Sequence, residues 1–427
     1  MRVPASVSAD RHGKLPISLA AALSFVAGHK SPAALFLCLF LLLLFVGCKS
    51  PTVPSGSARQ VAPLPNRLTP RGPAPAAIRK TDEFAVTEGA VPALLDPNDV
   101  YAADRPGRLS PVVRDYPPRI YVPNSESNTV DVIDPATYKI IDHFGVGRLP
   151  QHVVPSWDLK TLWVANDLGD SLTPINPKSG KHGKPVPVDD PYNMYFTPDG
   201  RFAIIVCERL RRLDFRDAHT MKRIHSLTVP GKGVDHIDFS SDGRYLLASC
   251  EFSGDVVKVD VQKQKVLGSL KLKAGGMPQD VKLAPDGKVF YVADMMANGV
   301  WIVDGDRMRT LGFVATGRGA HGLYASRDSK VLYVSNRHEG TITVLSFATR
   351  KPVAKWRLPH GGSPDMGGVS ADGRTLWLSG RYHGEIYAID TQTGRLRARI
   401  KVGRGPHGLC VYPQPGRYSL GHTGVFR

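Results

Sequence analysis

Residues 276–294 read GMPQDVKLAPDGKVFYVAD, which is two runs of strand-forming residues joined by a Pro-Asp-Gly turn. In such a turn the Asp side chain accepts backbone hydrogen bonds, and the Gly supplies a positive φ. Two further runs follow, GVWIVD at 299–304 and RTLGFVATG at 309–317, and turn residues separate them. The stretch therefore predicts one unit of four short antiparallel strands.

This four-strand unit recurs every 41 to 44 residues. The residues that open its first strand are Gln151, Tyr192, Asp235, Gln279, His321, Asp365 and His407. A sheet of four antiparallel strands that repeats at this interval is one blade of a β-propeller. The openings therefore predict seven blades.

The seventh blade is predicted to be shared between the two ends of the domain. After His407 only one strand remains, and its three partners stand at residues 119–144. Pairing these strands removes the open sheet edges and closes the ring. We predict an all-β, seven-bladed β-propeller of four-stranded antiparallel blades over residues 119–415, closed by N- and C-terminal strands, and we expect it to be monomeric.

The segments outside the propeller predict export and tethering. Residues 33–47 form a 15-residue apolar run, which is short for a membrane span and typical of a signal peptide, so residues 1–48 are assigned to export to the bacterial cell envelope. The residues before Cys48 resemble a lipobox and make Cys48 the predicted lipidation site, with an uncleaved membrane anchor as the alternative. Residues 49–118 are rich in Pro and predict a tether. Residues 416–427 predict a solvated tail, and the alternative is that they fold across one mouth and bring His422 near the channel.

Charge and cysteine content limit the function only weakly. The formal net charge of +17 attracts nucleic acid, anionic lipid, acidic polysaccharide or an anionic cofactor without selecting among them. The repeat region holds Cys207, Cys250 and Cys410. An odd number of cysteines predicts buried free thiols here and no complete disulfide framework.

Strand polarity places the strand openings and the loops after the second strands at one mouth of the central channel. The candidate ligand-binding residues there are His152, Asp235, His236, Asp280, His321, Asp365 and His407 from the openings, and Arg337, His338, Arg381 and His383 from the loops.

Three interpretations of this mouth stay open. In the first, the side chains bond backbone groups and water at the blade junctions. In the second, they hold a metal ion or a haem iron, with His321 and His407 as candidate ligands. In the third, Arg337 and Arg381 bind the carboxylates of a small anionic ligand.

The segments LWVAN at 162–166 and LYVSN at 332–336, together with the Pro-Asp-Gly turns, resemble the YVTN-repeat β-propeller family. The resemblance covers residues 119–413 and implies the propeller fold. It extends to the haem d1 domains of cytochrome cd1 proteins, where a tetrapyrrole lies over the channel. Surface-layer, quinoprotein and DNA-binding propellers are also related, so the resemblance does not select one function.

The leading hypothesis is an exported, membrane-tethered propeller whose mouth binds a small anionic ligand or an envelope protein. The first alternative is a redox-linked protein that binds a haem-type tetrapyrrole or takes part in its biosynthesis, and it is the one enzymatic role that we consider. The second alternative is binding of nucleic acid or an anionic envelope polymer through the basic surface. The sequence holds no P-loop, nucleophile elbow or dinucleotide fingerprint, so we expect no hydrolase or nucleotide enzyme.

Overall fold

The computed structural model of the protein describes residues 83–422 and 425–427. In these residues, seven four-stranded antiparallel sheets surround a central channel, which confirms the predicted seven-bladed β-propeller. The apolar core lies between neighbouring blades, where the alternating side chains of adjacent sheets meet.

The strands occupy four concentric positions. The inner strands are β4 (Pro150–Pro155), β8 (Asn193–Phe196), β12 (Val234–Phe239), β16 (Pro278–Leu283), β20 (Ala320–Ala325), β24 (Pro364–Val369) and β28 (Cys410–Tyr412). The second strands are β5 (Leu162–Asn166), β9 (Phe202–Cys207), β13 (Tyr245–Cys250), β17 (Phe290–Asp294), β21 (Val331–Asn336), β25 (Thr375–Gly380) and β1 (Arg119–Asn124).

The third strands are β6 (Ser171–Ile175), β10 (Arg212–Asp217), β14 (Asp255–Asp260), β18 (Gly299–Asp304), β22 (Thr341–Ser346), β26 (Glu385–Asp390) and β2 (Thr129–Asp134). The outer strands are β7 (Val186–Pro187), β11 (Arg223–Thr228), β15 (Lys265–Lys271), β19 (Arg309–Ala315), β23 (Pro352–Arg357), β27 (Leu396–Lys401) and β3 (Lys139–Gly145). Most outer strands are largely exposed, and their charged residues protect the sheet edges. Two short 3-10 helices, Ala102–Asp104 and Asp167–Gly169, complete the elements of the described residues.

The seventh blade joins the two ends of the domain, as the sequence predicts. Strand β28 pairs antiparallel with β1, with Arg119 opposite Tyr412 and Tyr121 opposite Cys410. The sheet order is β28-β1-β2-β3. This pairing closes the ring without an open inner edge.

Most inner strands carry a β-bulge at the mouth. In β16, Pro278 pairs with Asp294 and Val281 pairs with Val292, so two residues of β16 stand opposite one residue of β17. The same shift occurs in β12, β20 and β24. A bulge re-aims the side chains of the extra residues. It therefore decides which opening residues face the channel.

Residues 83–118 differ from the predicted tether in the part that the structure describes. They cross the propeller face that carries the Asp-Gly turns, and they bury Val100, Tyr101 and Val113 there. The N–H of Val100 donates to the carbonyl of Pro285, and the Tyr101 hydroxyl donates to the carbonyl of Leu283. Burial of this apolar surface and these bonds fixes the segment on the propeller, because such gains exceed the entropy of an extended chain.

Residues 416–422 and 425–427 belong to a hairpin inside the channel, which we call the hairpin. The prediction of a solvated tail is therefore wrong. Ser419 pairs with Phe426, and Gly421 pairs with Tyr195 of β8. Tyr418, Phe426 and Arg427 are buried, and the Arg427 guanidinium meets Asp238 at 3.3 Å. The segment folds inward because its aromatic side chains fill apolar niches between blades.

The predicted export signal and its lipidation site at Cys48 lie outside the described residues. Within the described part of the chain, no helix has the length and apolar character needed to cross a membrane. Cys207, Cys250 and Cys410 are buried and free, which confirms the prediction of free thiols.

The first prediction concerns the hairpin. Gly421 has a φ of +91°, and a Cβ there would stand 2.5 Å from Cα of Tyr195. Gly421→Ala should therefore cost about 2–4 kcal/mol of unfolding free energy, from positive φ together with overpacking against β8. Chemical denaturation measures this change.

Gly275→Ala is the matched control. Gly275 also has a positive φ, of +70°, but a Cβ there meets nothing within 4 Å. It should cost only the backbone strain, about 1–2 kcal/mol. Equal losses in the two variants would contradict the close packing of the hairpin against β8.

Candidate functional site

Seven residues, one from each blade, surround the channel mouth that lies opposite the Asp-Gly turns. Each of them directly follows the second strand of its blade. These residues, which we call the mouth ring, are Ser125, Asp167, Glu208, Glu251, Met295, Arg337 and Arg381. Three consecutive blades contribute acids, and two others contribute arginines. The charge of the mouth ring is therefore polarised from one side to the other.

Asp365 connects the basic side of the ring to two channel histidines. The Arg337 guanidinium donates to Oδ1 of Asp365 at 2.5 Å and also contacts Nε2 of His321. Nδ1 of His407 lies 2.8 Å from Oδ2, and Nδ1 of His321 lies 3.1 Å from Oδ1. Burial alone would raise the pKa of Asp365, but Arg337 and the nearby His321 lower it. Asp365 is therefore an anion held between three partners.

Arg381 is the ring arginine that lacks an acidic partner. Its Nη1 lies 3.4 Å from Oε1 of Gln151, and the side chain is half-buried. Among the described residues, no carboxylate lies within 4.0 Å of its guanidinium. His338 and His383 are exposed on the rim beside it, and Nδ1 of His383 meets Oγ of Ser363 at 2.9 Å.

The acidic side of the ring consists of carboxyl groups that are partly or fully buried near one another. Burial, and then the charges of Glu251 and Asp167, raise the pKa of Glu208 to about 8. Burial is also the main cause that raises the pKa of Glu251 and of Asp235, which opens β12 below the ring. Such groups gain stability from a cation placed among them.

Below the ring lies the histidine cluster, which we define as His152, His236, His422 and Asp280. The rings of His236 and His422 are 4.7 Å apart, and His152 is 5.4 Å from His236 and 5.3 Å from His422. All four side chains are buried. The sequence placed His152 and His236 at the mouth, but the structure shows them deeper, beneath His321 and His407.

His422 completes the cluster, and the sequence offered its approach to the channel only as the alternative to a solvated tail. It stands in the hairpin, whose N–H at this residue donates to the carbonyl of Met194. Side-chain Nδ2 of Asn193 lies 3.0 Å from Nδ1 of His236 and 3.1 Å from Nδ1 of His422. The signal in the sequence was only one more histidine in a Gly-rich tail, with no strand pattern to place it.

Ionisation divides the cluster into neutral imidazoles and one anion. Burial lowers the pKa of His152 well below its ordinary range and that of His236 to about 3. Burial opposes the charge of Asp280, yet nearby His422 and Lys282 hold its pKa at about 2. At neutral pH the cluster therefore carries a buried negative charge.

The histidines do not fit an axial role towards a haem-type tetrapyrrole. His321 has its Nδ1 towards Asp365 and its Nε2 towards Arg337, and His407 has its Nδ1 on Asp365 and its Nε2 3.4 Å from the Tyr192 hydroxyl. Both side chains are at most 2% exposed. An iron above the channel would have to break these contacts.

Comparisons with known proteins agree with the fold. The model of the YNCE-like beta-propeller family matches residues 106–416. Antigen Lp49 of Leptospira interrogans is 26% identical over 169 residues, which are 34% of this chain and 36% of that relative, so the match spans about a third of it. The uncharacterized protein YncE of Salmonella typhi is 21% identical over 277 residues, 58% of this chain and 73% of that protein.

Among solved structures, the dihydro-heme d1 dehydrogenase NirN in complex with DHE superposes with a TM-score of 0.53. It is 16% identical, and the match covers 75% of this chain and 79% of that chain. At this identity the likeness shows a shared fold alone.

The second prediction follows from Glu208. Its folded pKa of about 8 is above that of a free glutamate, so the folded state keeps a proton that the unfolded state releases. The stability from this group is complete below the unfolded pKa and is lost as pH rises through about 8. Glu208→Gln should therefore increase the free energy of unfolding relative to wild type by roughly 1 kcal/mol near pH 9, which raises the melting temperature, and change it little near pH 5.

Glu126→Gln is the control, because Glu126 is exposed in the corresponding loop of the seventh blade. Thermal unfolding of both variants at the two pH values measures the effect. A pH dependence no larger for Glu208→Gln than for Glu126→Gln would contradict it.

Proposed function

We propose a binding function for this chain, which belongs to the YNCE-like β-propeller family: its mouth ring holds a small organic molecule that carries both a carboxylate and an amine. The observation that supports this proposal is the polarised order of charges in the mouth ring. The sequence favoured a small anionic ligand, and the acidic side of the ring adds the second requirement.

The anionic end of the ligand is assigned to Arg381. A half-buried guanidinium without an acidic partner has lost part of its hydration and gained no ion pair in exchange. A carboxylate can accept two parallel hydrogen bonds from it, which is the geometry that guanidinium groups favour. Arg337 is different, because Asp365 already neutralises it.

The cationic end of the ligand is assigned to Glu208 and Glu251. Their pKa values are raised mainly by burial, and Glu208 is raised further by repulsion from Glu251. An ammonium group between them would favour the ionised carboxylates and reduce that repulsion. Attraction at one side and charge neutralisation at the other then select against molecules with a single charge.

The proposal also includes export and attachment to a membrane through Cys48. The support is the apolar run at residues 33–47 and the lipobox-like residues before Cys48. A lipid at this position would place the propeller at the envelope surface, where its mouth could meet small solutes.

The third prediction tests the mouth. A series of ω-amino carboxylates with two to six carbons is compared with the carboxylic acids and the alkylamines of equal length. At least one amino acid of the series should raise the melting temperature through preferential binding to the folded state, and its singly charged analogues should not. Thermal unfolding with increasing ligand measures the dissociation constant.

Arg381→Gln should weaken that binding at least tenfold, because the ligand's carboxylate loses its charged partner. Arg357→Gln, on the exposed outer strand β23, is the matched control and should bind as wild type. Two results would reject the mouth as the site. One is equal stabilisation by the amino acid and by its singly charged analogues, and the other is equal affinity of Arg381→Gln and Arg357→Gln for the amino acid.

The fourth prediction tests the attachment. In a bacterial host that processes lipoproteins, the wild-type protein should fractionate with membranes, and Cys48→Ala should give a soluble or an unprocessed product. Fractionation and mass spectrometry of the N-terminus measure this. Cys207→Ala is the control, because Cys207 is a buried thiol in β9. A Cys48→Ala product identical to wild type would exclude lipidation at Cys48.

A further inference from the structure

We infer that the histidine cluster binds one divalent first-row transition-metal ion, with His236, Asp280 and His422 as its ligands and His152 beside them. The site lies below the mouth ring and does not depend on the ligand proposed there.

The first argument is the geometry of the donor atoms. One ligating atom each from His236, Asp280 and His422 lies within 4.8 Å of the other two. Nε2 of His422 is 3.7 Å from Oδ1 of Asp280. The three residues come from β12, β16 and the hairpin, so the rigid blades and the hairpin fix them independently. Two imidazoles and one carboxylate are a donor set typical of zinc and of ferrous iron.

The second argument is a group of buried polar atoms that the fold leaves without hydrogen bonds. They are both ring nitrogens of His152, Nε2 of His236 and Oδ1 of Asp280. Each such atom has lost its hydrogen bonds to water without gaining a partner in the protein, which is unfavourable. The rings of His152, His236 and His422 are neighbours, so one bound ion would supply a partner to several of these atoms at once.

The third argument is the contrast between two carboxylates of the channel. Oδ2 of Asp238 accepts from the N–H of Leu283, and Oδ2 of Asp280 accepts from the N–H of Leu323. The second oxygen of Asp238 meets the Arg427 guanidinium. The second oxygen of Asp280 has Nε2 of His422 at 3.7 Å and, among the described residues, no Lys or Arg within 4.0 Å, although the carboxylate is fully buried. A buried anion in this position requires a cation, and a metal ion meets that need.

One amide side chain contacts both histidines of the proposed ligand set. Asn193 bridges Nδ1 of His236 and Nδ1 of His422. The amide oxygen of Asn193 accepts from the N–H of Met194, which fixes this side chain beside the two imidazoles.

The ion would also connect the hairpin to the blades. His422 belongs to the hairpin, whereas His236 and Asp280 belong to inner strands. Binding to the folded chain alone would raise its unfolding free energy by mass action. We therefore expect the metal to stabilise the protein and the chelator EDTA to reverse this.

The fifth prediction is a direct binding test. The full chain is stripped with EDTA, dialysed and titrated with Co²⁺, whose visible absorption reports its ligands. We expect one equivalent to bind with the spectrum of a four- or five-coordinate ion, and Zn²⁺ to displace it. A folded protein that takes up neither ion in a saturable way overturns the inference.

Asp280→Asn is the key variant, because the amide oxygen keeps the bond from Leu323 while the charge is lost. It should weaken Co²⁺ binding at least tenfold. His422→Ala should do the same and should abolish the stabilisation by metal. His225→Ala, an exposed histidine on outer strand β11, is the control and should bind as wild type.

Circular dichroism of each variant establishes that it is folded before it is titrated. If folded Asp280→Asn or folded His422→Ala binds Co²⁺ as wild type does, the ligands are not those assigned. Arg381→Gln should retain full metal binding, so a failure of the mouth proposal would leave this result unchanged.

Discussion

Convergence of seven inner strands on one axis is the constraint on which the rest of the structure depends. It brings side chains from different blades together where water is excluded, so each polar group must find its partner in another blade or in the hairpin. Asp365 of β24 meets Arg337 and His321 of the preceding blade, and Asp238 of β12 meets Arg427. The bonds that hold the blades together are therefore the same bonds that define the chemistry of the channel.

The two faces of the propeller differ in which parts of the chain cover them. Residues 83–118 cross the face of the Asp-Gly turns, and the hairpin enters the channel and reaches Asp238 and Tyr195. Both segments bury apolar side chains between turns, and Arg427 also lies over the ring of Tyr101. Residues 83–118 and the hairpin therefore stabilise each other through this contact. On the opposite face, Glu208, Glu251, Met295 and Arg381 of the mouth ring are half-buried, and its other three members are buried. The proposed ligand is therefore assigned to that side.

The blades could be predicted because the opening of the inner strand recurs seven times in phase. Four of the blades also carry an Asp-Gly turn after that strand, at 199–200, 242–243, 286–287 and 372–373. The mouth ring follows from the same register, since each member comes after a second strand. Residues 83–118 and the hairpin could not be predicted, because Val100, Tyr101 and Tyr418 are buried singly, without a period that a sequence pattern can show. The depth of His152 and His236 depends on bulges that only the paired strand defines.

Depth explains why the two proposed sites use different residue types. At the mouth, partial hydration lets Arg381 stay charged and lets Glu208 ionise as pH rises, so the ring suits charged organic groups. In the cluster, complete burial makes ionisation of His152 and His236 unfavourable, so both imidazoles stay neutral beside Asp280. Asp280 is the exception, since it stays anionic at full burial. Nearby His422 and Lys282 favour the anion, and among the described residues no Lys or Arg forms an ion pair with it, so the proposed metal ion would be its direct cationic partner.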